Sequence, residues 1–207
     1  MNLTMGTTPF RWWQMDNWCA PVDLAAIPPP GDSVWEIEYA NDCEMGKRTT
    51  RCLLPPWDAA VGSMLAPLHI QSWTMRLGVI VEPDPRSHGA GLHVTSPGGW
   101  LNCHLDYDLH PQDRTKRRAL NLIAFLNPEW REEWGGALCL CDPLGAVVKR
   151  IYPAPGRLVA FECSDLSYHA VDPITGPVER VTAAVYLLAA ATGAETRRRA
   201  LFTPKRS

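Results

Sequence analysis

From Gly89 onward, short apolar segments alternate with turn residues at nearly regular intervals. The segments are Gly91–Thr95, Trp100–Asp106, Arg118–Leu126, Ala137–Cys141, Val147–Tyr152, Arg157–Cys163 and Arg180–Leu188. Short strands separated by turns are typical of a β-sandwich or barrel of the jelly-roll type. The pattern therefore predicts a mostly β protein with flanking helices, an α+β fold built on a jelly-roll core.

The sequence before Gly89 is less regular. Val34–Ala40 alternates enough to predict a strand, and Pro56–Leu68 has a proline at its start and helical apolar spacing. Leu77–Val81 is a short apolar run that predicts another strand. We expect residues 1–33 to be an irregular N-terminal extension, residues 34–189 to be the β domain with its supporting helix and strands, and residues 190–207 to be a basic C-terminal tail.

Composition narrows the class of protein. A length of 207 residues suits one domain, and a net charge of −2 gives no bulk attraction to nucleic acid or to a membrane. No segment reaches the ~18 apolar residues that span a bilayer, and the N-terminus lacks the apolar core of a signal peptide. The seven cysteines form no metal-binding or redox motif. We expect a cytoplasmic protein with reduced thiols.

His104 and Asp106 carry the strongest chemical signal. They lie two residues apart on a predicted strand, so their side chains project from the same face. His169 follows the Arg157–Cys163 segment and its turn, and a jelly roll brings late strands back beside early ones. Two imidazoles and one carboxylate are the ligand set of non-heme Fe(II) oxygenases. On its own a His-x-Asp pair is better explained as a surface pair at an exposed strand end, but together with His169 the pattern predicts an iron site at His104, Asp106 and His169.

Arg180 opens the last predicted strand and shares one face with Thr182. An arginine on an inward face is costly to bury unless it meets an anion. A guanidinium pairs well with a carboxylate through two parallel hydrogen bonds. The pair therefore predicts an anchor for a dicarboxylate co-substrate.

Six stretches also carry a family resemblance. They are Gly89–His93, Pro97–Asp106, Arg117–Asn127, Glu133–Gly136, Ser164–His169 and Arg180–Thr182. Together they resemble the Fe(II)/2-oxoglutarate-dependent dioxygenases, specifically the prolyl-4-hydroxylase-like branch. The similarity runs in order, with matching spacing, from about Leu77 to Leu188.

The resemblance implies a double-stranded β-helix in which His104, Asp106 and His169 hold Fe(II). It further implies 2-oxoglutarate anchored on Arg180 and Thr182, O2 as oxidant, and ascorbate in support. Hydroxylation of an aliphatic C–H bond is expected, because Asp106 stands where halogenating relatives carry Ala or Gly. The branch favours a prolyl or other residue of a protein or peptide as substrate, with a small metabolite such as an amino acid or sugar as the alternative.

One position departs from the family. Phe125 stands where prolyl hydroxylases of animal type often place a tyrosine that contacts 2-oxoglutarate, and a phenyl ring cannot donate that hydrogen bond. Asn121 or Asn102 could replace it, since Asn102 shares the facing parity of His104. The alternative is that each amide only orders its strand.

Other polar residues keep two interpretations each. His93 is expected to be structural rather than a ligand, Arg118 to be a solvated strand-end charge or an anion contact, and Asp108 to touch substrate or cap a turn. Arg197–Arg199 predicts a solvated tail or a phosphate contact. Two further hypotheses are a non-catalytic metal-binding β-barrel module and a nucleic-acid demethylase, the second disfavoured because no broader basic patch accompanies the tail. Oligomeric state is not predicted.

Overall fold

The structure is a computed structural model that describes residues 2–50, 57–84, 90–197 and 199–203. This part of the chain forms two α-helices and thirteen strands. The helices are α1 (Trp57–Met64) and α2 (Pro67–Leu77). The strands are β1 (Asn2–Gly6), β2 (Trp12–Asp16), β3 (Ile37–Ala40), β4 (Glu44–Thr49), β5 (Glu82–Pro83), β6 (Gly91–Leu105), β7 (Lys116–Phe125), β8 (Leu138–Cys141), β9 (Val147–Ile151), β10 (Leu158–Glu162), β11 (His169–Val171), β12 (Arg180–Ala190) and β13 (Leu201–Phe202).

All strand pairs are antiparallel, and the main sheet runs in the order β1-β2-β10-β7-β12-β6-β11-β8-β9. Strands β4 and β13 also pair with β6, and β5 pairs with β12. The late strands β11 and β12 therefore return beside the early strand β6. The predicted mostly β jelly-roll class is confirmed. Among the described residues, no helix has both the length and the apolar character needed to cross a membrane.

The two-residue repeat of β7 and β12 separates the core from a cavity. On β12, Val181, Ala183, Val185 and Leu187 belong to the main hydrophobic cluster, which also receives Leu120 and Leu122 of β7 and Val61, Met64 and Trp73 of the helices. The alternate residues of β12 line the cavity on the other face. A second cluster contains Phe125, Phe161 and Leu138, and Leu138 also lines the cavity. The site thus rests on two strands whose opposite faces are fully packed.

The predicted strands Gly91–Thr95 and Trp100–Asp106 are in fact one strand, β6, with Asp106 directly after its end. Strand β4 pairs with both halves, so the expected turn at residues 96–99 is a bulge within a continuous ladder. A Cβ atom on Gly99 would lie 2.7 Å from the carbonyl oxygen of Met45. Glycine therefore allows β4 to approach closely enough to keep the strand unbroken.

The helical region is longer than predicted. Helix α1 ends at Met64, and a second helix, α2, begins with a proline in its first turn and continues to Leu77. Gly78 ends α2 in a left-handed conformation with φ 71°. The strand expected at Leu77–Val81 is wrong, because its first residue belongs to this helix and the next described strand, β5, begins only at Glu82. Helix α2 buries Trp73 alone, so its periodic signal is weak.

Both ends of the chain are more ordered than predicted. The N-terminal extension contains β1 and β2, and β2 pairs with β10. Both faces of β2 are buried, since Trp12 is buried on one face and Trp13 and Met15 are buried on the other. Within the predicted C-terminal tail, Leu201 and Phe202 are not free, since they form β13 and pair with β6. Neither pairing leaves a local signal, because each partner strand lies far away in the sequence.

Candidate active site

His104, Asp106 and His169 meet at one end of β6. The register pairs His169 with His104 across β11 and β6, which brings their ring centroids to 4.2 Å. The His104 Nε2 atom lies 3.8 Å from Asp106 Oδ1, and His169 Nε2 lies 3.9 Å from Asp106 Oδ2. One ligand atom from each residue falls within 4.8 Å of the others, the one such group in the described chain. The three side chains could hold a divalent cation.

Backbone carbonyls orient both imidazoles. The Nδ1 atom of His104 lies 2.9 Å from the Asn102 carbonyl oxygen, and that of His169 lies 2.9 Å from the Ser167 carbonyl oxygen. An imidazole that donates from Nδ1 presents an Nε2 lone pair to a metal. Burial, followed by the charge of His169, lowers the pKa of His104 to about 3. The His104 ring is therefore neutral, as a metal ligand must be.

Asp106 is held by three polar side chains. Its Oδ2 atom accepts hydrogen bonds from Asn121 Nδ2 at 3.2 Å and from the Tyr186 hydroxyl at 3.1 Å. Its Oδ1 atom lies 3.5 Å from a guanidinium nitrogen of Arg118. Burial would raise the pKa of Asp106, but the charges of His169, Arg118 and His104 and the Tyr186 hydroxyl bring it below the usual range. The carboxylate is therefore ionised and fixed in direction.

Arg118 is buried rather than solvated, which corrects the first interpretation of this residue. Its guanidinium carbon lies 3.4 Å from the ring centroid of Tyr107 and 3.3 Å from that of Tyr186. It also donates a hydrogen bond to the Tyr107 hydroxyl. Two aromatic faces and the Asp106 carboxylate together replace the water that a surface arginine would keep.

Neither tyrosine was predicted from the sequence to belong to the site. Tyr186 had a usable signal, because it continues the Arg180 and Thr182 face of β12 at the same two-residue spacing. Tyr107 follows Asp106 just beyond β6, where strand parity no longer predicts direction. Its position depends on the arginine that it covers.

Arg180 and Thr182 line the same cavity. Arg180 donates from Nε to the Gly136 carbonyl oxygen at 2.9 Å, and its guanidinium carbon lies 5.0 Å from the Phe125 ring centroid. No ion pair with Arg180 is found in the described ranges of the chain. Burial lowers the pKa of Arg180 to about 10. A buried guanidinium that opens into a cavity without a carboxylate partner is a favourable place for an anion.

The cavity has a volume of about 270 Å³ and joins the triad to Arg180. Tyr39, Glu44 and Lys47 of the β3–β4 hairpin form one wall, and Ala200 and Phe202 form another. The hairpin and the C-terminal segment therefore both border the cavity.

His93 also faces the cavity but lies outside the triad. Burial, followed by the positive charges of Lys47 and Arg180, holds the pKa of His93 well below the usual range of histidine. Its carbonyl oxygen accepts a hydrogen bond from the Thr182 hydroxyl at 3.4 Å. His93 therefore lies outside the candidate ligand set, and its role, structural or supporting a ligand, stays a prediction.

The two candidate asparagines occupy different environments. Asn121 points its Nδ2 to Asp106 and Tyr186, while its buried Oδ1 atom has no hydrogen-bond partner in the described residues. Asn102 is not among the cavity-lining residues. Between the pairs His104–His169 and Leu101–Val171, β6 has one residue more than β11. This bulge breaks the parity on which the Asn102 hypothesis depended.

Asp108 caps the turn that follows β6. Its Oδ1 atom accepts a hydrogen bond from the Leu109 amide at 2.6 Å, and its Oδ2 atom lies 3.7 Å from Arg197. Asp108 is not among the residues that line the cavity. Of its two interpretations, the structure supports the turn cap.

Comparison with known proteins agrees with this geometry. The family model of the 2OG-Fe(II) oxygenase superfamily matches residues 90–188, a range that contains the triad, Arg180 and Thr182. This match confirms the family resemblance seen in the sequence. No curated protein matches the chain significantly.

Two solved structures show the same fold. A Pseudomonas putida prolyl-4-hydroxylase is 18% identical, covers 85% of this chain and 91% of its own, and has a TM-score of 0.57. A prolyl hydroxylase from Trichoplax adhaerens, in complex with a hypoxia inducible factor oxygen degradation domain peptide fragment, is 17% identical. The second match covers 76% of this chain and 71% of the other, with a TM-score of 0.52. At this identity the likeness concerns the fold.

Proposed function

We propose that this protein, whose residues 90–188 belong to the 2OG-Fe(II) oxygenase superfamily, hydroxylates an aliphatic C–H bond in a prolyl or other residue of a protein or peptide. The observation that carries the proposal is the meeting of His104, Asp106 and His169 within 4.8 Å, at a cavity that also contains a buried Arg180 with no carboxylate partner in the described part of the chain. A metal triad and an anion anchor in one enclosed space are what iron and a dicarboxylate co-substrate require.

The residues present suit ferrous iron. His104 supplies a neutral imidazole nitrogen, His169 a second imidazole oriented in the same way, and Asp106 an ionised carboxylate. In our proposal these three side chains are the iron ligands. When bound, Fe(II) would supply the redox chemistry by which O2, 2-oxoglutarate and a substrate C–H group give succinate, carbon dioxide and the hydroxylated substrate, with one oxygen atom in succinate and one in the new hydroxyl. Ascorbate is expected to keep the iron reduced.

We assign the far carboxylate of 2-oxoglutarate to Arg180 and Thr182. The guanidinium donates to a backbone carbonyl from Nε, and no carboxylate of the described chain competes for its terminal nitrogens. Phe125 packs beneath it and offers no hydrogen bond. Because Phe125 stands where some relatives have a tyrosine, we propose that only Arg180 and the Thr182 hydroxyl recognise this carboxylate.

Asn121, Tyr186 and Arg118 have a different proposed role. All three contact the Asp106 carboxylate, so they hold it in one orientation before any ligand arrives. Such supporting contacts tune metal affinity and keep the ligand from rotating. Asn121 thus serves the metal ligand, and Asn102, outside the cavity, serves its own strand.

The peptide substrate is supported by the fold likeness to prolyl hydroxylases, one of which was solved with a peptide. A small metabolite is the second candidate. It is favoured by the cavity of about 270 Å³, which lies below the ~300–1,000 Å³ of typical drug-sized pockets. Fold likeness alone does not decide between them.

The direct test is succinate formation with Fe(II), 2-oxoglutarate and ascorbate, screened over peptide and metabolite pools. We expect a prolyl-peptide pool to stimulate succinate release, and His104→Ala, Asp106→Ala or His169→Ala to abolish it. His69→Ala, a histidine that packs on Trp18 outside the cavity, is the matched control. Stimulation by metabolites alone would favour the second candidate, and turnover that survives all three ligand substitutions would refute the site.

A further inference from the structure

The C-terminal segment adds a strand beside the metal ligands. Leu201 pairs with Leu105 and Phe202 pairs with His104, both on the edge of β6. Thr203 extends this contact, because its amide and its hydroxyl both donate to the Cys103 carbonyl oxygen, at 2.9 and 3.1 Å. The segment therefore occupies the strand edge next to the triad.

Phe202 touches the site itself. Its ring stacks on the His104 imidazole with a centroid distance of 5.1 Å and an interplanar angle of 25°. Phe202 and Ala200 both line the cavity. Leu201, between them in sequence, is half exposed and does not line the cavity. Phe202 is thus the large side chain that the segment places against a proposed iron ligand.

Arg197 connects the C-terminal segment to the residues that directly follow β6. Its Nε donates to the Asp106 carbonyl oxygen at 2.7 Å, and a terminal nitrogen donates to Asp165 at 2.8 Å. Its own carbonyl oxygen accepts the amides of Asp108 and Leu109 at 3.0 and 3.1 Å. These contacts bind the segment to the residue that supplies the carboxylate ligand.

We propose that Phe202 is a specificity-determining residue of this site, positioned by Arg197, that admits narrow groups to the metal and excludes wide ones. The inference rests on the proposed function for the presence of a metal at the triad. The cavity of about 270 Å³ must hold metal, co-substrate and the reacting group together, so one phenyl ring in its wall sets the remaining width. A peptide would present a single side chain through this opening.

The test uses cobalt-substituted protein and two metal-binding probes of different width, imidazole and 4-phenylimidazole. The visible absorption of Co(II) first reports occupancy of the triad and then the affinity of each probe. One methylene more or less on a ligand changes discrimination by an apolar pocket by about 10–200-fold, and the two probes differ by a whole phenyl ring. We expect Phe202→Ala to improve 4-phenylimidazole binding relative to imidazole at least tenfold, and Leu201→Ala to leave the ratio unchanged.

An unchanged ratio in Phe202→Ala would overturn the proposal, whereas cobalt uptake, read before any probe is added, reports on the metal site alone. The role of Arg197 has a metal-independent measurement, hydrogen exchange of the Thr203 amide. We expect Arg197→Ala to accelerate this exchange at least tenfold and the exposed Arg199→Ala to leave it unchanged. Equal exchange in the wild type and Arg197→Ala would show that Arg197 does not position the segment.

Discussion

Two buried arginines line the same cavity but differ in their partners and in the direction of their pKa shifts. Arg118 is 3% exposed and Arg180 is 4% exposed. Arg118 has the Asp106 carboxylate and two tyrosine rings around it, and these partners raise its pKa against the effect of burial. Arg180 has one carbonyl and one phenyl ring, and burial lowers its pKa to about 10.

The comparison distinguishes Arg118, whose charge is balanced within the protein, from Arg180, whose charge we propose to bind a ligand. Arg118 neutralises a carboxylate of the protein itself, so the metal end of the cavity is complete and preorganised. Arg180 has been desolvated without a protein counter-ion in the described residues, and in our proposal an anion supplies the missing partner at its end of the cavity. Opposite effects on stability should therefore follow when each arginine is replaced by an apolar residue of similar length.

The largest effect should come from removing the partner of Arg118. Asp106→Ala removes a proposed iron ligand and leaves the Arg118 charge buried, so we expect loss of succinate formation and about 3–5 kcal/mol of the free energy of unfolding. The measurement is denaturant unfolding of the metal-free protein. The exposed Asp42→Ala is the control.

The double variant Asp106→Ala/Arg118→Met sharpens this test. Removing both charges should restore most of the lost stability without restoring activity, because an apolar pair carries no desolvation cost. If the double variant were as unstable as Asp106→Ala alone, the pairing of these residues would not explain the stability loss.

Arg180→Met should act on the co-substrate instead. Loss of a charge-assisted pair worth about 1.5–3 kcal/mol predicts a 2-oxoglutarate KM raised roughly 10–150-fold, with Mn(II) affinity unchanged. Stability of the ligand-free variant should be unchanged or higher, because an uncompensated charge has been removed. Arg180→Lys, which keeps the charge but not the planar fork, should lie between wild type and Arg180→Met. A marked loss of ligand-free stability would contradict the comparison.

Arg118→Met should weaken metal binding without a specific effect on 2-oxoglutarate. Residues that support a metal ligand typically contribute about 10–100-fold to metal affinity. We expect a loss of this size for Mn(II), measured by titration. The adjacent Arg117→Met, which loses a contact with Glu195, is the matched control. Equal metal affinity in the two variants would show that Arg118 does not position Asp106.

Part of this site could be predicted from the sequence, and part could not. The two-residue repeat was sufficient to predict one face for Arg180 and Thr182 on β12, because that stretch of the strand keeps a regular register. The same reasoning did not bring Asn102 to the cavity, because β6 carries a bulge just before His104. The burial of Arg118 and the docking of Phe202 depend on partners from distant strands. Thr203 and Cys103, for example, meet although they are 100 residues apart in the chain.

The smallest effect, and the finest test of the preorganised end, is Tyr186→Phe. This change removes one hydroxyl donor from Asp106 but keeps the ring that covers Arg118. A single hydrogen bond contributes about 0.5–1.5 kcal/mol, so metal affinity should fall only a few-fold. Combination with Asn121→Ala, which removes the second donor to the same oxygen, should cost more than the sum of the single losses, because each donor alone still fixes the carboxylate. Strictly additive losses would mean that the two donors act independently and do not substitute for each other in fixing the carboxylate.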